Sequence, residues 1–190
     1  MDDFLRSKRL YLRRLMASDA GNLFGYRSDP DVSRYQGWAP ASESEALRFI
    51  EDQSNIEPGA AGRWFQLAIC LRKDDSLIGD LGLHFPADDD RQAEFGISLD
   101  PAHQGHGYAA ETLLAAMSYL FDSLGKHRVF CSVDPRNIAS IAMARRLGMR
   151  QEAHFVKSLW FRNAWVDDVV FGLLQSEWRL QKKTRADCHE

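Results

Sequence analysis

The stretch FGISLDPAHQGHGYAAE, residues 95–111, decides the fold. Its first residues predict a strand, Gly105 and Gly107 predict a turn, and the apolar spacing that follows Glu111 predicts a long helix. The first N–H groups of a helix lack partners and lie at the positive end of the helix dipole. Glycine lets an anion approach such a backbone closely. A strand, a glycine turn and a helix in this order therefore predict a site for a phosphate or pyrophosphate group.

Two other interpretations of this turn compete with the phosphate site. The glycines could serve only the backbone geometry of the connection, because short glycine patterns recur by chance. Alternatively, Gly105, Gly107 and Ala110 match the G-x-G-x-x-A pattern of dinucleotide-binding folds, with Asp134 at the end of the next strand. Such a fold opens with the turn and continues through several βα units, whereas this turn comes mid-chain. Its position disfavours the dinucleotide interpretation.

The hydrophobic pattern on both sides of the turn predicts an α+β chain. Before the turn, strands at 64–71, 76–85 and 93–99 have connections too short for crossover helices and predict an antiparallel meander. After it, apolar spacing predicts helices at 113–124 and 137–147, with a strand at 129–133 between them. The other predicted elements are a strand at 10–15, a helix from Ser18-Asp19 to Asp29-Pro30, a helix from the capping box of Ser42 and Glu45 to Pro58-Gly59, strands at 150–159 and 167–174, and a helical turn at 176–180.

Composition excludes several classes of protein. The 190 residues suffice for one domain, and 24 Lys and Arg against 27 Asp and Glu argue against a generally basic nucleic-acid binder. Cys70, Cys131 and Cys188 do not have the spacing of a disulfide framework, and they form no credible metal set with the six histidines. No segment has the pattern of a signal peptide or a membrane span. We expect a cytoplasmic protein with one domain over 1–180 and a polar, frayed tail over 181–190. We expect no metal, no direct nucleic-acid partner and no membrane partner.

Residues 104–109, QGHGYA, resemble the Q/R-x-x-G-x-G/A turn with which the GNAT acetyltransferase superfamily cradles the pyrophosphate of acetyl-coenzyme A. Further segments resemble that superfamily in the same order along the chain, and in particular its ribosomal-protein alanine N-acetyltransferase branch. These segments are 9–13, 78–83, 94–97, 137–140 with 146–149, and 161–178. Together they cover nearly the whole chain, which makes the resemblance far more specific than the glycine turn alone.

The resemblance implies a three-layer fold and a cofactor site. A central mixed, mostly antiparallel sheet should carry helices on both faces, and its fourth and fifth strands should splay apart to admit acetyl-coenzyme A. The backbone of Ile97, Ser98 and Leu99 should pair with the pantetheine arm. Asn137 should bind the pantetheine end, and Arg145 or Arg146 should reach the outer phosphates. The residues implied for the pyrophosphate are those of the turn: Gln104, Gly105, His106, Gly107, Tyr108 and Ala109.

Two residues are candidates for the chemistry. Glu94 resembles the acidic residue of the branch that removes the amine proton through water, although a solvated carboxylate on an exposed strand face stays an alternative. Ser140 is the candidate hydrogen-bond donor to the thiolate, although it could instead be a serine that completes the first helical turn. Tyr108 and Tyr119 do not match the tyrosine that serves as the acid in many GNAT enzymes. We expect a structural role for Glu111 and, as the more common case, for His84.

The acceptor surface is predicted least well. Aromatic candidates for a pocket are Tyr35, Trp38, Trp64 and Trp165, and acidic candidates for attracting a cation are Asp29, Asp31 and residues 88–90.

The sequence predicts an acetyl-coenzyme A-dependent N-acetyltransferase that works by direct transfer in a ternary complex, because no nucleophile stands out. The acceptor would be a protein amino-terminal amine or a small amine. An aminoglycoside or polyamine N-acetyltransferase, and a non-catalytic acyl-coenzyme A-binding module, are the alternatives. The oligomeric state stays open, a homodimer included.

Overall fold

A computed structural model describes the backbone of residues 4–187 and the side chains of residues 4–184. Eight strands form one mixed sheet in the order β1-β2-β3-β4-β5-β6-β8-β7. Their bounds are β1 Leu5–Arg6, β2 Leu10–Arg14, β3 Trp64–Leu71, β4 Leu77–His84, β5 Gln92–Leu99, β6 Arg128–Val133, β7 Arg150–Phe161 and β8 Ala164–Leu174. Strands β5 and β6 pair in parallel, and the other neighbours pair antiparallel. The meander predicted for β3, β4 and β5 is confirmed.

Helices cover both faces of this sheet, as predicted. Their bounds are α1 Ala20–Arg27, α2 Pro30–Ser33, α3 Glu43–Ser54, α4 Tyr108–Ser118, α5 Ile138–Arg146 and α6 Gln175–Asp187. Helices α1 and α3 pack on the face that carries Ala68 and Cys70. Helices α4 and α5 pack on the opposite face, with the core residues Leu67 and Ile69. Alternate residues of a strand point to opposite faces, so β3, which is buried from Phe65 to Leu71, can serve both layers.

A buried polar network fastens α1 to the sheet. Asp80 on β4 is fully buried and accepts hydrogen bonds from Tyr26 (2.8 Å), from both Nε (3.0 Å) and Nη2 of Arg27, and from Gln66. A buried carboxylate is stable only when its charge and lone pairs are satisfied, and these three side chains satisfy it. The network therefore fixes where α1, and the segment after it, lie over the sheet.

Four differences between the structure and the predicted elements concern helices. Asp29-Pro30 ends α1 but also starts α2, because the Asp29 carboxylate accepts from the Asp31 amide at 2.8 Å and proline suits a first helical turn. Helix α3 ends at Ser54, before Pro58-Gly59. The helix that follows the glycine turn passes into a π-helical turn at Tyr119–Ser123 before Gly125. Helix α6 continues to Asp187, so residues 181–187, predicted as a frayed tail, are helical.

Three further observations bear on the predictions from composition. No helix within residues 4–187 is long and apolar enough to cross a membrane. The same residues contain no group of three His, Cys, Asp or Glu side chains arranged to hold a metal ion. Cys188 and residues 189–190 lie outside the described part of the chain.

Candidate active site

A cleft of about 780 Å³ opens where β5 and β6 part. The two strands pair only over Gln92–Glu94, and their last partners are Glu94 and Phe130. Beyond that row, β5 keeps β4 on one side but has no strand on the other. The edge of Ile97 and Ser98 that faces the cleft therefore has backbone groups free for an extended ligand, whereas the Leu99 carbonyl accepts from Nε2 of Gln104 at 3.0 Å.

The glycine turn closes one end of this cleft. Gly105 and Gly107 have φ of +78° and +79°, in the left-handed region that favours glycine. The first hydrogen bond inside α4 is donated by the Glu111 amide to the Gly107 carbonyl at 3.1 Å, so the earlier amides of the helix have no partner within it. A Cβ atom on Gly105 would meet nothing within 4 Å. The turn thus leaves open space in front of unpaired N–H groups, which is the geometry for binding an anion.

Arg9, at the approach to β2, holds the turn from behind. Its Nη1 donates to the His106 carbonyl at 3.1 Å, and its guanidinium lies 4.4 Å from the centre of the Tyr108 ring. Its Nε and its backbone amide both donate to Glu111 at 2.7 Å. Ser7 Oγ donates to the same carboxylate at 2.8 Å. The structural role predicted for Glu111 agrees with these contacts.

The start of α5 contributes further lining residues. Asn137 caps this helix, because its Oδ1 accepts from the Ser140 amide at 3.1 Å. Ser140 takes part in this cap through its backbone amide. Asn137, Ser140 and Arg146 all line the cleft.

Glu94 stands at the last paired row of the two strands. Its side chain is about one-fifth exposed, and its Oε2 lies 3.4 Å from Nδ1 of His84. Burial raises the pKa of Glu94, proximity to His84 lowers it, and proximity to Asp168 raises it. The net pKa lies above the ordinary value, so this carboxylate holds a proton more tightly than an exposed glutamate does.

The cleft brings together twelve of the thirteen predicted site residues. They are Glu94, Ile97, Ser98, Leu99, Gln104, Gly105, Gly107, Tyr108, Ala109, Asn137, Ser140 and Arg146. His106 is not among the lining residues, since its carbonyl accepts from Arg9 and its ring stacks on Tyr108. Arg145 and His84 are not lining residues either.

Some of the aromatic and acidic candidates for the acceptor surface line the cleft, and the others do not. Tyr35, Trp64 and Asp31 line the cleft. Trp38 instead stacks on Phe49 at 4.3 Å, and Trp165 pairs with Trp160 on the β7–β8 hairpin. Residues 88–90 lie away from the cleft, and Asp29 caps α2.

Sequence reasoning missed two features of the site. Cys131 lines the cleft although it lies on a strand predicted to be buried. Asp168 is near enough to affect Glu94, and its Oδ1 accepts from Ser132 at 2.6 Å. No local sequence pattern predicts either feature, because both depend on how β6 and β8 pair.

Comparison with known proteins places this geometry in a family. Residues 9–150 match the family model described as an acetyltransferase (GNAT) domain. The chain is a GNAT acetyltransferase. It is similar to the N-acetyltransferase YnaD of Bacillus subtilis (strain 168), with 29% identity over 174 residues that cover 92% of this chain and 98% of that protein.

Other GNAT relatives carry names that mention an acceptor. A solved structure from Vibrio cholerae, proposed to be a ribosomal-protein-serine acetyltransferase, is 25% identical with a TM-score of 0.77 and covers 90% of this chain and 98% of that one. The spermidine N(1)-acetyltransferase of Vibrio cholerae serotype O1 (strain ATCC 39315 / El Tor Inaba N16961) is 30% identical over 88 residues, 46% of this chain and 51% of that protein. The GNAT fold is therefore shared over nearly the whole chain.

GNAT acetyltransferases use acetyl-coenzyme A, and the residues of this cleft suit that molecule. The turn offers unpaired amides to a pyrophosphate, and the free edge of β5 offers backbone groups to the amides of a pantetheine arm. About five residues of strand, roughly 17 Å, separate Leu99 at the turn end from Glu94 at the other. An extended ligand bound along β5 would thus lead from the phosphate-binding turn to the carboxylate.

Proposed function

We propose that this enzyme moves the acetyl group of acetyl-coenzyme A directly to a primary amine, with Glu94 as the base and Ser140 as the donor to the leaving thiolate. The observation that carries the proposal is that Glu94, at the last paired row of β5 and β6, and Ser140, on the first turn of α5, line the same cleft. The bound cofactor supplies a thioester, whose carbonyl carbon accepts an amine nucleophile.

Glu94 suits the role of base. An amine attacks only after it has lost its proton, and a base works best when its pKa approaches the operating pH. Burial moves the pKa of Glu94 in that direction. The carboxylate is also reachable, since its residue lines the cleft.

Ser140 suits the role of donor to the thiolate. Because Asn137 caps α5, the Ser140 hydroxyl is not required to complete the helix. A thiolate is a tolerable leaving group, so a hydrogen bond from a weak acid suffices to stabilise it.

Direct transfer is favoured over a covalent acetyl-enzyme. Cys131 is the thiol that lines the cleft, and burial raises its pKa to about 12. Burial likewise raises the pKa of Cys70, in the sheet core, to about 11. The thiolate is the nucleophilic form, so both groups are poor nucleophiles near neutral pH.

The acceptor we propose is a protein amino-terminal amine or a small amine. The likeness to a protein proposed to act on a ribosomal protein supports the first, and the likeness to a spermidine acetyltransferase over half the chain supports the second. The lining of the cleft also includes Trp64, Tyr35 and Asp31, and aromatic and acidic side chains suit a positively charged amine.

The test combines calorimetry with an acceptor screen. Acetyl-coenzyme A should bind the wild-type protein, and free thiol should appear when alanine- and serine-initiated peptides, spermidine or an aminoglycoside is added. Glu94→Gln should lower kcat on the order of 100-fold or more, while the Kd for acetyl-coenzyme A stays unchanged. Absence of binding would defeat the cofactor assignment. Binding without thiol release from any acceptor would instead favour the non-catalytic acyl-coenzyme A-binding module.

A further inference from the structure

Trp64, His84 and Glu94 occupy one row across three neighbouring strands. Trp64 on β3 pairs with His84 on β4, and His84 pairs with Glu94 on β5. Residues directly opposite each other on antiparallel strands point to the same face, with their Cβ atoms about 5 Å apart. The register of the sheet therefore brings an indole, an imidazole and a carboxylate side by side.

Packing fixes the orientation of the imidazole. The His84 ring stacks on the Trp64 indole with centroids 5.2 Å apart and planes 23° from parallel. The indole in turn lies over the next row of the sheet, where a Cβ atom on Gly82 would come within 2.9 Å of it. A Cβ atom on Gly96 would lie 3.8 Å from the indole. Gly82 thus makes room for Trp64, and Trp64 packs on the flat face of His84.

The nitrogen that faces Glu94 has no other partner in the structure. His84 Nδ1 is buried and makes no hydrogen bond to any residue of the described chain, and Oε2 of Glu94 lies 3.4 Å away. Buried polar atoms are nearly always satisfied, so an unsatisfied one beside a reactive group calls for an explanation. At 3.4 Å the contact is too long for a strong hydrogen bond, and a proton passing between the two atoms would require them to approach more closely.

We propose that His84 takes from Glu94 the proton that Glu94 has removed from the acceptor ammonium, and releases it to solvent. This inference rests on the proposed role of Glu94 as base. An N–H bond of the ammonium breaks and an O–H bond forms on Glu94. That O–H bond then breaks as an Nδ1–H bond forms, which regenerates the carboxylate and makes an imidazolium. The imidazolium loses one proton to water, and its side chain is 23% exposed.

The local charges explain why a relay is useful. Burial and Asp168 on β8 both raise the pKa of Glu94, while His84 lowers it. The Cys131 thiol on β6 faces both carboxylates and stays protonated. Glu94 therefore holds a proton tightly and must lose it before the next turnover. An imidazole nitrogen can both accept and release a proton, and Nδ1 of His84 is the one that faces Glu94.

The kinetic test compares His84→Ala and His84→Asn with a matched control, His154→Ala. His154 also pairs with a carboxylate, Asp167, at 2.8 Å, but neither residue lines the cleft. With an alanine-initiated peptide or spermidine as acceptor, kcat should fall on the order of 10- to 100-fold in both His84 variants. The KM for acetyl-coenzyme A and the activity of the control should not change. Added imidazole should restore part of the activity of His84→Ala, which loss of packing alone would not allow.

A carboxyl titration followed by ¹³C NMR tests the same contact without any acceptor. Because His84 lowers the pKa of Glu94, that pKa should rise in His84→Ala and stay unchanged in the control. The acidic limb of kcat/KM should move to higher pH in the same variant. Wild-type kcat and an unmoved Glu94 titration in His84→Ala would overturn the relay. If no amine is acetylated by the wild-type protein, the proposed function fails, and the titration still decides whether His84 and Glu94 interact.

Discussion

Arg9 and Glu111 form an ion pair that joins the start of β2 to the first turn of α4, with Nε and Oε2 at 2.7 Å. Burial raises the pKa of Glu111, but hydrogen bonds from Arg9 and Ser7 outweigh it and leave that pKa below its ordinary value. The carboxylate is therefore charged, and it lies behind the turn that we expect to hold a pyrophosphate. Arg9 neutralises this charge and also fixes the His106 carbonyl.

Arg9→Ala should weaken the binding of coenzyme A. The substitution leaves an uncompensated negative charge near the phosphates and frees the turn, at a cost of roughly 1 kcal/mol, or about fivefold in Kd. Isothermal titration calorimetry measures the Kd for coenzyme A in the variant and in the wild type. Arg91→Ala, which removes an exposed arginine paired with Asp89, is the control and should change nothing. Arg9→Ala/Glu111→Gln should regain part of the affinity, and a double variant no better than the single one would contradict the charge argument.

Gly105→Ala and Gly125→Ala should separate backbone strain from cofactor binding. Both glycines have positive φ, +78° and +64°, and a Cβ atom on either would meet nothing within 4 Å. Each substitution should cost about 1–2 kcal/mol of stability, the strain of an L-residue in this conformation. Only Gly105 lines the cleft, so only Gly105→Ala should also raise the Kd for coenzyme A. Equal binding by the two variants would show that the turn does not contact the cofactor.

Glu94→Gln should stabilise the fold at neutral pH while it lowers turnover. The folded-state pKa of Glu94 is raised, chiefly by burial, so between the ordinary and the raised pKa the native protein binds more protons than the unfolded chain. Stability contributed by Glu94 therefore falls as the pH rises through that window. The Tm of the variant should exceed that of the wild type at about pH 8 and approach it below about pH 4, the ordinary range of a glutamate. Glu51→Gln, at an exposed position of α3, should not alter Tm at either pH.

Asn137→Ala should mainly lower the stability of the fold, whereas Ser140→Ala should mainly lower turnover. Asn137 accepts the Ser140 amide, so its loss removes the cap of α5 and should cost about 1 kcal/mol in urea unfolding. Ser140→Ala keeps that cap and should change stability by less than about 0.5 kcal/mol. If Ser140 serves the leaving thiolate, its variant should nevertheless show the lower kcat at saturating acetyl-coenzyme A. A Ser140→Ala enzyme with wild-type kcat would remove Ser140 from the mechanism.

Much of the fold follows from patterns that are local in the sequence. The meander of β3, β4 and β5 was predictable because three strand-like apolar runs are separated by connections too short for a crossover helix. The glycine turn and α4 were predictable because left-handed glycines and helical spacing are properties of neighbouring residues. The start of a second helix, α2, at Pro30 was not predicted, because Asp29 can both follow one helix and cap the next.

The candidate site depended on the sequence for its residue types and on the tertiary structure for its arrangement. The resemblance to GNAT acetyltransferases supplied Glu94, Ser140 and Asn137 as candidates, but it did not show that β5 and β6 stop pairing at Glu94. It did not show either that Asn137, rather than Ser140, caps α5.

The sequence by itself determined most of the segments that become strands and helices, and the turn at Gly105 and Gly107, because those properties depend on periodicity and on glycine. The tertiary structure decided which distant side chains meet. Arg9 reaches Glu111 across 102 residues, and His84 faces Glu94 only through the register of two strands. A shift of one residue in that register would turn His84 to the other face of the sheet. Contacts of this kind are set by the packing of the whole sheet, so no local pattern could have predicted them.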